Sequence, residues 1–347
     1  MTDIFKKKEI PIVYAVDDNY APFLCVSLKS VIATVSKNYF LKVYILNTGL
    51  SEDNQRRITE AAKANGALVD VEYVDVADRL DGLKDKMHLR DYYTNAIYYR
   101  IFIPSLFPQY DKILYLDCDI VLNEDISKLY NVKLGKNIAA AVHEEAMSFF
   151  DCFGVYSEEF LGVPRMQYFN SGLLLINTAE YNRAKIETEF INLMLAHKFE
   201  VAPDQDYLNV LLLGRTKLLD VGWNKTPIPE KPFPDEKVKL IHYKLNFKPW
   251  HYEGVKYEEF FWKYARKTPF YDDLIAMREG YSEKEKQRDE LAFKNLQQMA
   301  WNYIESENNY IKQRRKAEQA KRTENVKSVE AANPLKNCRI REKRVLG

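Results

Sequence analysis

The 347-residue sequence predicts an α/β fold: an open, mainly parallel mixed sheet of the Rossmann-like kind, with a helical C-terminal extension. Three observations carry the prediction. Strand-length apolar runs alternate with helical patterns from Ile10 to Val142, as βαβ units require. Two of these runs, 10–16 and 138–142, are apolar at every position, as strands covered on both faces are. Beyond Gly280 the pattern gives way to long charged segments of helical propensity.

Residues 10–16 (IPIVYAV) form the first strand and end in Asp17–Asp18–Asn19, residue types that start helices. A helix follows over 20–35, with Phe23, Val26, Leu28, Val31 and Ile32 at helical spacing. The next strand is 41–46 (LKVYIL). A polar helix over 51–65 then takes Ser51 as its N-cap and Gly66 as its stop. Residues 68–76 alternate as a strand. A helix over 94–103 is expected to end at Pro104. Residues 112–116 (KILYL) are a strand running straight into Asp117–Cys118–Asp119, and 138–142 and 173–176 are further buried strands. Pro203 opens a helix through residue 213, and 238–241 is the last strand. A single domain over residues 1–275 accounts for these elements. Residues 281–322 form a basic helical extension, and 323–347, without a sustained pattern, read as a disordered tail.

The net charge of +1 hides an asymmetry: residues 311–347 hold 12 Lys/Arg against 4 Glu, a net of +8, which leaves −7 on the rest. The tail's Lys312, Arg314, Arg315, Lys316, Lys321 and Arg322, with Trp301 and Tyr303 upstream, fit docking on an anionic membrane surface. They equally fit a solvated charged helix. They lack the fold motif and interleaved aromatics of nucleic-acid binding. Cys25, Cys118, Cys152 and Cys338 form no CxxC pair and read as thiols of a reducing compartment. The first residues do not read as a signal peptide, and no run reaches the ~18 apolar residues of a membrane span. The expectation is a cytoplasmic protein, held at the inner membrane face if the tail docks there.

Chemistry concentrates first at Asp117-x-Asp119. Open α/β sheets bind ligands beyond the carboxyl ends of their strands, and two carboxylates there can share one hard divalent cation. The pair alone is weak, since Asp204-x-Asp206 repeats it. The order of several blocks is more specific. Ala15–Val16–Asp17–Asp18–Asn19–Tyr20 is followed by Tyr99–Arg100 and by Leu114–Tyr115–Leu116–Asp117–Cys118–Asp119. Then come Phe169–Asn170–Ser171–Gly172, Asp204–Gln205–Asp206–Tyr207–Leu208–Asn209, and His242 with Lys248–Pro249–Trp250–His251. Together, over about residues 10–270, they resemble glycosyltransferase family 8, which includes bacterial lipopolysaccharide glucosyl- and galactosyltransferases and glycogenin.

The resemblance implies a nucleotide-diphospho-sugar transferase domain of glycosyltransferase A type that uses a UDP-sugar donor with Mn²⁺, or Mg²⁺ in its place. It implies that Asp17 and Asn19 bind the uridine nucleoside, and that Arg100 approaches the donor's sugar or diphosphate. Asp117, Asp119 and His242 would ligate the metal. Asn170 and Gly172 would contact the sugar, the glycine leaving room for it, and Asp204 would bind sugar hydroxyls. Gln205 would lie nearest the anomeric carbon on the face opposite the leaving group, and Lys248 would neutralise the diphosphate. An amide at that position is a poor nucleophile, so the resemblance implies retention by front-face attack rather than through a carboxylate intermediate. The acceptor would be a saccharide, a lipid-linked saccharide or a protein glycan. One departure stands out: where the family has His-x-x-Gly-x-x-Lys-Pro-Trp, this chain has Leu245.

Read singly, each residue has a structural explanation. Asp17–Asp18–Asn19 fits a helix cap, Arg100 a core-edge side chain, His242 a structural histidine and Asp204 a helix N-terminus. Two further functions stay open: a self-glucosylating primer like glycogenin, and a sugar-nucleotide-binding scaffold without turnover. A sugar-nucleotide pyrophosphorylase would need a Gly-rich loop after the first strand, and Asp17–Asp18–Asn19–Tyr20 is not one.

Overall fold

The computed structural model describes residues 7–63, 69–80, 83, 95–228, 233–307 and 309–331. Among the described residues nine strands lie in two sheets. β1 (Lys8–Ala15), β2 (Tyr39–Asn47), β3 (Val69–Asp75), β4 (Lys112–Leu116), β6 (Ala139–His143), β7 (Phe169–Asn177) and β8 (Thr216–Leu219) form the main sheet. Its order is β3-β2-β1-β4-β7-β6-β8. β1 to β4 run parallel and β6 pairs β8 in parallel, while β7 is antiparallel to both of its neighbours. The sheet is therefore mixed and mostly parallel, as the apolar runs predict. Side chains alternate across it. Ile12 and Tyr14 of β1 join one core layer with Leu24, Leu28 and Trp250, whereas Val13 and Ala15 join the other with Tyr98, Phe102 and Phe190.

The helix Ala21–Thr34 is apolar on most sides and buried, so it packs inside the first layer. Glu52–Lys63 buries only Ile58, Ala61 and Ala62, which join the same layer from its outer side. Ser51 caps this second helix through Asn54 N–H, and Asp18 accepts bonds from Ser51 and Asn54. The expected stop at Gly66 lies outside the described residues.

Three expectations change. Pro104 does not end a helix: a 3₁₀ stretch Asn95–Phe102 passes into a short α-helix Ile103–Leu106, where Pro104 sits in the first turn and no N–H is needed. The last strand, β9 (Leu240–His242), does not join the main sheet. It pairs antiparallel with β5 (Ile120–Leu122), with Ile120 opposite His242. The C-terminal extension is two helices, Glu283–Glu305 and Tyr310–Ala331. The first starts in a Ser282–Glu285 capping box; the second runs past residue 322, and residues 332–347 lie outside the described residues.

Candidate active site

β4 delivers Asp117 at its carboxyl end, and the turn into β5 delivers Asp119. His242 comes from β9, and the β5–β9 register brings it across: Tyr243 N–H donates to Asp119 O at 2.9 Å. His242 Nε2 lies 3.1 Å from Asp119 Oδ1 and 3.7 Å from Asp117 Oδ2, and one ligand atom from each residue falls within 4.8 Å of the others. The donor set fits a divalent ion of the Mn²⁺ type, two hard carboxylates and an imidazole. Its surroundings fit as well. Asn224 Oδ1 lies 2.9 Å from His242 Nδ1 and accepts from it, which fixes the ring angle and turns Nε2 toward the two carboxylates, where it would ligate an ion. Burial opposes ionisation of Asp119, but His242 and Lys248 outweigh it and hold the carboxyl below its usual range.

Gly172 explains why the cluster can be so tight. A Cβ there would lie 2.3 Å from Asp117 Oδ2 and 2.5 Å from His242 Cε1. The space this glycine leaves is taken by two of the three candidate ligands.

The next layer is a polar network. Arg100, buried under Asp117, donates to Asp117 Oδ1 (3.0 Å), Ser171 O (2.8 Å) and Ser171 Oγ (2.9 Å), and its Nε lies 3.3 Å from Asp204 Oδ2. Tyr115 also donates to Asp117 Oδ1, at 2.7 Å. Burial raises the Asp204 carboxyl, Arg100 opposes that, and Asp117 adds to it. Asn170 Nδ2 donates to Gln205 Oε1 (3.0 Å) and Glu144 Oε2 (2.7 Å), while its Oδ1 accepts from Asn224 Nδ2 (2.8 Å). Gln205 Oε1 also accepts from Ser171 N–H at 2.9 Å, and its Nε2 lies 3.3 Å from Tyr168 Oη. The amide of Gln205 is therefore held at both ends.

Asp17, Arg100, Asp117, Asp119, Asn170, Asp204, Gln205 and His242 line one cleft. Asn19 is exposed on the turn after Asp17. Lys248 is buried, with its ammonium 5.8 Å from the Tyr20 ring centroid and 5.5 Å from that of Trp250. Burial draws its pKa down, against Asp119, Asp289 and Asp117. Leu245 also faces the cleft, and its φ of 56° is the left-handed conformation that a glycine takes without strain. The backbone here takes a conformation that suits the glycine of the family motif, although the side chain is leucine. Asp206, the second half of the repeated Asp-x-Asp, serves no such cluster: Tyr168, Tyr156 and Ala202 N–H all donate to it.

Three site residues escaped the sequence reading. Asn224 carries no readable signal. Glu144 follows the buried strand β6 just as Asp117 follows β4, and that position could have found it. Lys244, two residues past His242, lies in the cleft and pairs with Glu144. Burial works against the Glu144 carboxylate, but Lys244 holds its pKa low.

An open mixed sheet with an Asp-Asp-His cluster at its carboxyl edge, beside Asp204 and Gln205, defines a group-transfer enzyme of the glycosyltransferase A type. The model of the family described as glycosyl transferase family 8 matches residues 11–254. The chain belongs to that family and is a glycosyltransferase. Lipopolysaccharide 1,2-glucosyltransferase of Escherichia coli (strain K12) is 30% identical over 267 residues, 71% of this chain and 75% of that protein. General stress protein A of Bacillus subtilis (strain 168) is 29% identical over 266 residues, 71% of this chain and 89% of that protein. Among solved structures, galactosyltransferase LgtC in complex with donor and acceptor sugar analogues is similar with a TM-score of 0.60 at 25% identity, covering 75% of this chain and 96% of that one. The apo bifunctional glycosyltransferase WbbM gives a TM-score of 0.68 at 26% identity over 80% of this chain, which spans about half (53%) of that chain.

Proposed function

We propose that the chain transfers a hexose, glucose or galactose, from a UDP-sugar to a saccharide of a bacterial surface glycan, with retention of the α configuration. The observation that carries this reading is the single cleft that joins Asp117, Asp119 and His242 to Asp204 and Gln205. The named functions of the relatives, lipopolysaccharide glucosyl- and galactosyltransferases, support the donor and acceptor classes.

Asp117, Asp119 and His242 would hold Mn²⁺, with Mg²⁺ as the alternative. A bound ion there supplies charge compensation for the diphosphate as its bond to the sugar breaks. Lys248 adds positive charge beside Asp119. Asp17 and Asn19 bind the nucleoside, and Asp204 accepts from sugar hydroxyls while Arg100 orients its carboxylate and opposes the rise that burial imposes on it. Asn170 and Ser171 turn the Gln205 carbonyl and hold it still, so that its dipole stabilises positive charge developing at the anomeric carbon. An amide so held has no basic oxygen to spare for a lasting covalent bond, and retention then follows from attack on the face the leaving group vacates.

Among the described residues no helix is long and apolar enough to cross a membrane. The Tyr310–Ala331 helix, exposed along its described basic residues from Arg314 to Lys316, is the segment that would rest on an anionic membrane surface. Release of UDP from UDP-glucose and UDP-galactose, with and without Mn²⁺, tests the reading. Intact mass after the same incubation separates it from self-glucosylation, which alone would add hexose units to the chain.

A further inference from the structure

The helix Glu283–Glu305 begins beyond residue 254, where the family match ends, yet it borders the reaction cleft. Near its start Asp289 accepts hydrogen bonds from Tyr252 (2.9 Å) and Tyr281 (2.6 Å), and Tyr281 stacks on His251 with centroids 3.9 Å apart. These contacts tie the helix to the segment that carries Lys248. One turn further on, Phe293 packs edge-on against Phe150 and Phe153, at 5.1 and 6.2 Å. Leu296, largely buried with Met147, Phe153 and Val201 in one core cluster, lines the cleft together with them. Beyond it, Tyr303 donates to Glu200 and closes the helix down on the body.

The cleft is thus two-sided. In the reading above, its polar residues from Asp17 to Gln205 take the sugar nucleotide. Nothing in such a donor calls for Met147, Phe153 and Leu296. The acceptor must enter alongside the donor hexose, next to Gln205 and Glu144, and whatever is attached to its sugar lies against the remaining wall. We propose that this wall receives a nonpolar group attached to the acceptor saccharide, as on a lipid-linked glycan, and that Leu296 sets the preference for it. The inference rests on the hexosyltransferase reading. It assigns the C-terminal helix a part in substrate choice.

The test is binding by titration calorimetry to the full chain loaded with Mn²⁺ and UDP, comparing hexyl with methyl β-glucoside and β-galactoside. Each buried methylene is worth about fourfold in affinity, so partial burial of a hexyl chain predicts at least a tenfold preference over methyl. Leu296→Ser should cut that preference to about threefold or less. Leu296→Met, similar in volume and equally apolar, should keep it. Because the ratio is taken within each variant, a general loss of affinity cancels. Equal binding of hexyl and methyl glycosides, binding of neither, or a hexyl preference unchanged in Leu296→Ser would overturn the proposal while the donor reading stands. Failure of UDP to bind at all would overturn both.

Discussion

The side-chain carbonyl of Asn224 meets Nδ1 of His242 at 2.9 Å, and the same amide donates to Asn170 Oδ1 at 2.8 Å. One buried asparagine thus links a candidate metal ligand to the residue that holds Gln205. Metal-ligating histidines depend on such partners for tautomer and ring angle, and their loss costs about 10–100-fold in metal affinity. Asn224→Ala should raise the Mn²⁺ concentration needed for half-maximal UDP release by that factor. Saturating Mn²⁺ should restore part of the rate. Unchanged Mn²⁺ dependence would show that the contact is structural only.

Gly172 gives a sharper case, because a single methyl group would meet Asp117 Oδ2 at 2.3 Å and His242 Cε1 at 2.5 Å. Its backbone is already fixed: Gly172 O accepts from Asp117 N–H at 2.8 Å. Gly172→Ala should therefore displace the two ligands rather than the strand, and displacement of about 1 Å can cost about a hundredfold in rate. Steady-state kinetics with a circular-dichroism control for folding check it.

Asp206 predicts a pH effect on stability. Burial pushes its carboxyl up to about 7, against hydrogen bonds from Tyr168, Ala202 N–H and Tyr156. The folded chain holds a proton there that the unfolded chain, with an aspartate near ~4, gives up. The stabilisation is therefore complete below about pH 4 and is lost as pH rises through about 7. Asp206→Asn, which keeps one carbonyl oxygen for Tyr156 and Ala202 N–H and cannot titrate, should show a smaller fall in denaturation midpoint between pH 5 and pH 8 than the parent chain. Identical falls would rule out Asp206 as the source.

Leu245 sits at φ 56°, a conformation that costs a side chain with a Cβ about 1–2 kcal/mol. Glycine would relieve that strain but lose about 0.5–1 kcal/mol more on ordering. The two nearly cancel, so Leu245→Gly should melt within about 3 °C of the parent, given the ~2–4 °C that 1 kcal/mol moves a domain of this size. Leu245→Val, β-branched at a positive φ, should melt several degrees lower. Thermal scans order the three, and a glycine variant less stable than the valine one would contradict the assignment of strain.

Much of this was legible in the sequence, for physical reasons. The strands 10–16, 41–46 and 112–116 are apolar because helices cover both faces of the sheet, so their runs stand out. β5 and β8, at three and four residues, are too short to display a period. Asp117, Asp119 and His242 could be gathered only through the order of the blocks, since what brings them together is the β5–β9 pairing, and nothing local in either strand announces its partner. Pro104 misled because a proline, which cannot continue a helix, is readily accepted in the first turn of one. Asn224, like any lone asparagine, gains meaning from the ring nitrogen it faces. Leu296 lies in a helix whose pattern told of packing, and only the fold shows that one of its apolar positions faces the cleft.

The most direct test of the central claim is UDP release from UDP-glucose and UDP-galactose, with Mn²⁺, with chelator, and in Asp117→Asn. The account predicts release of UDP from one of these donors that requires the metal and falls at least about a hundredfold in the variant. Release that persists under chelator or in Asp117→Asn, or a chain that binds no UDP, would contradict it.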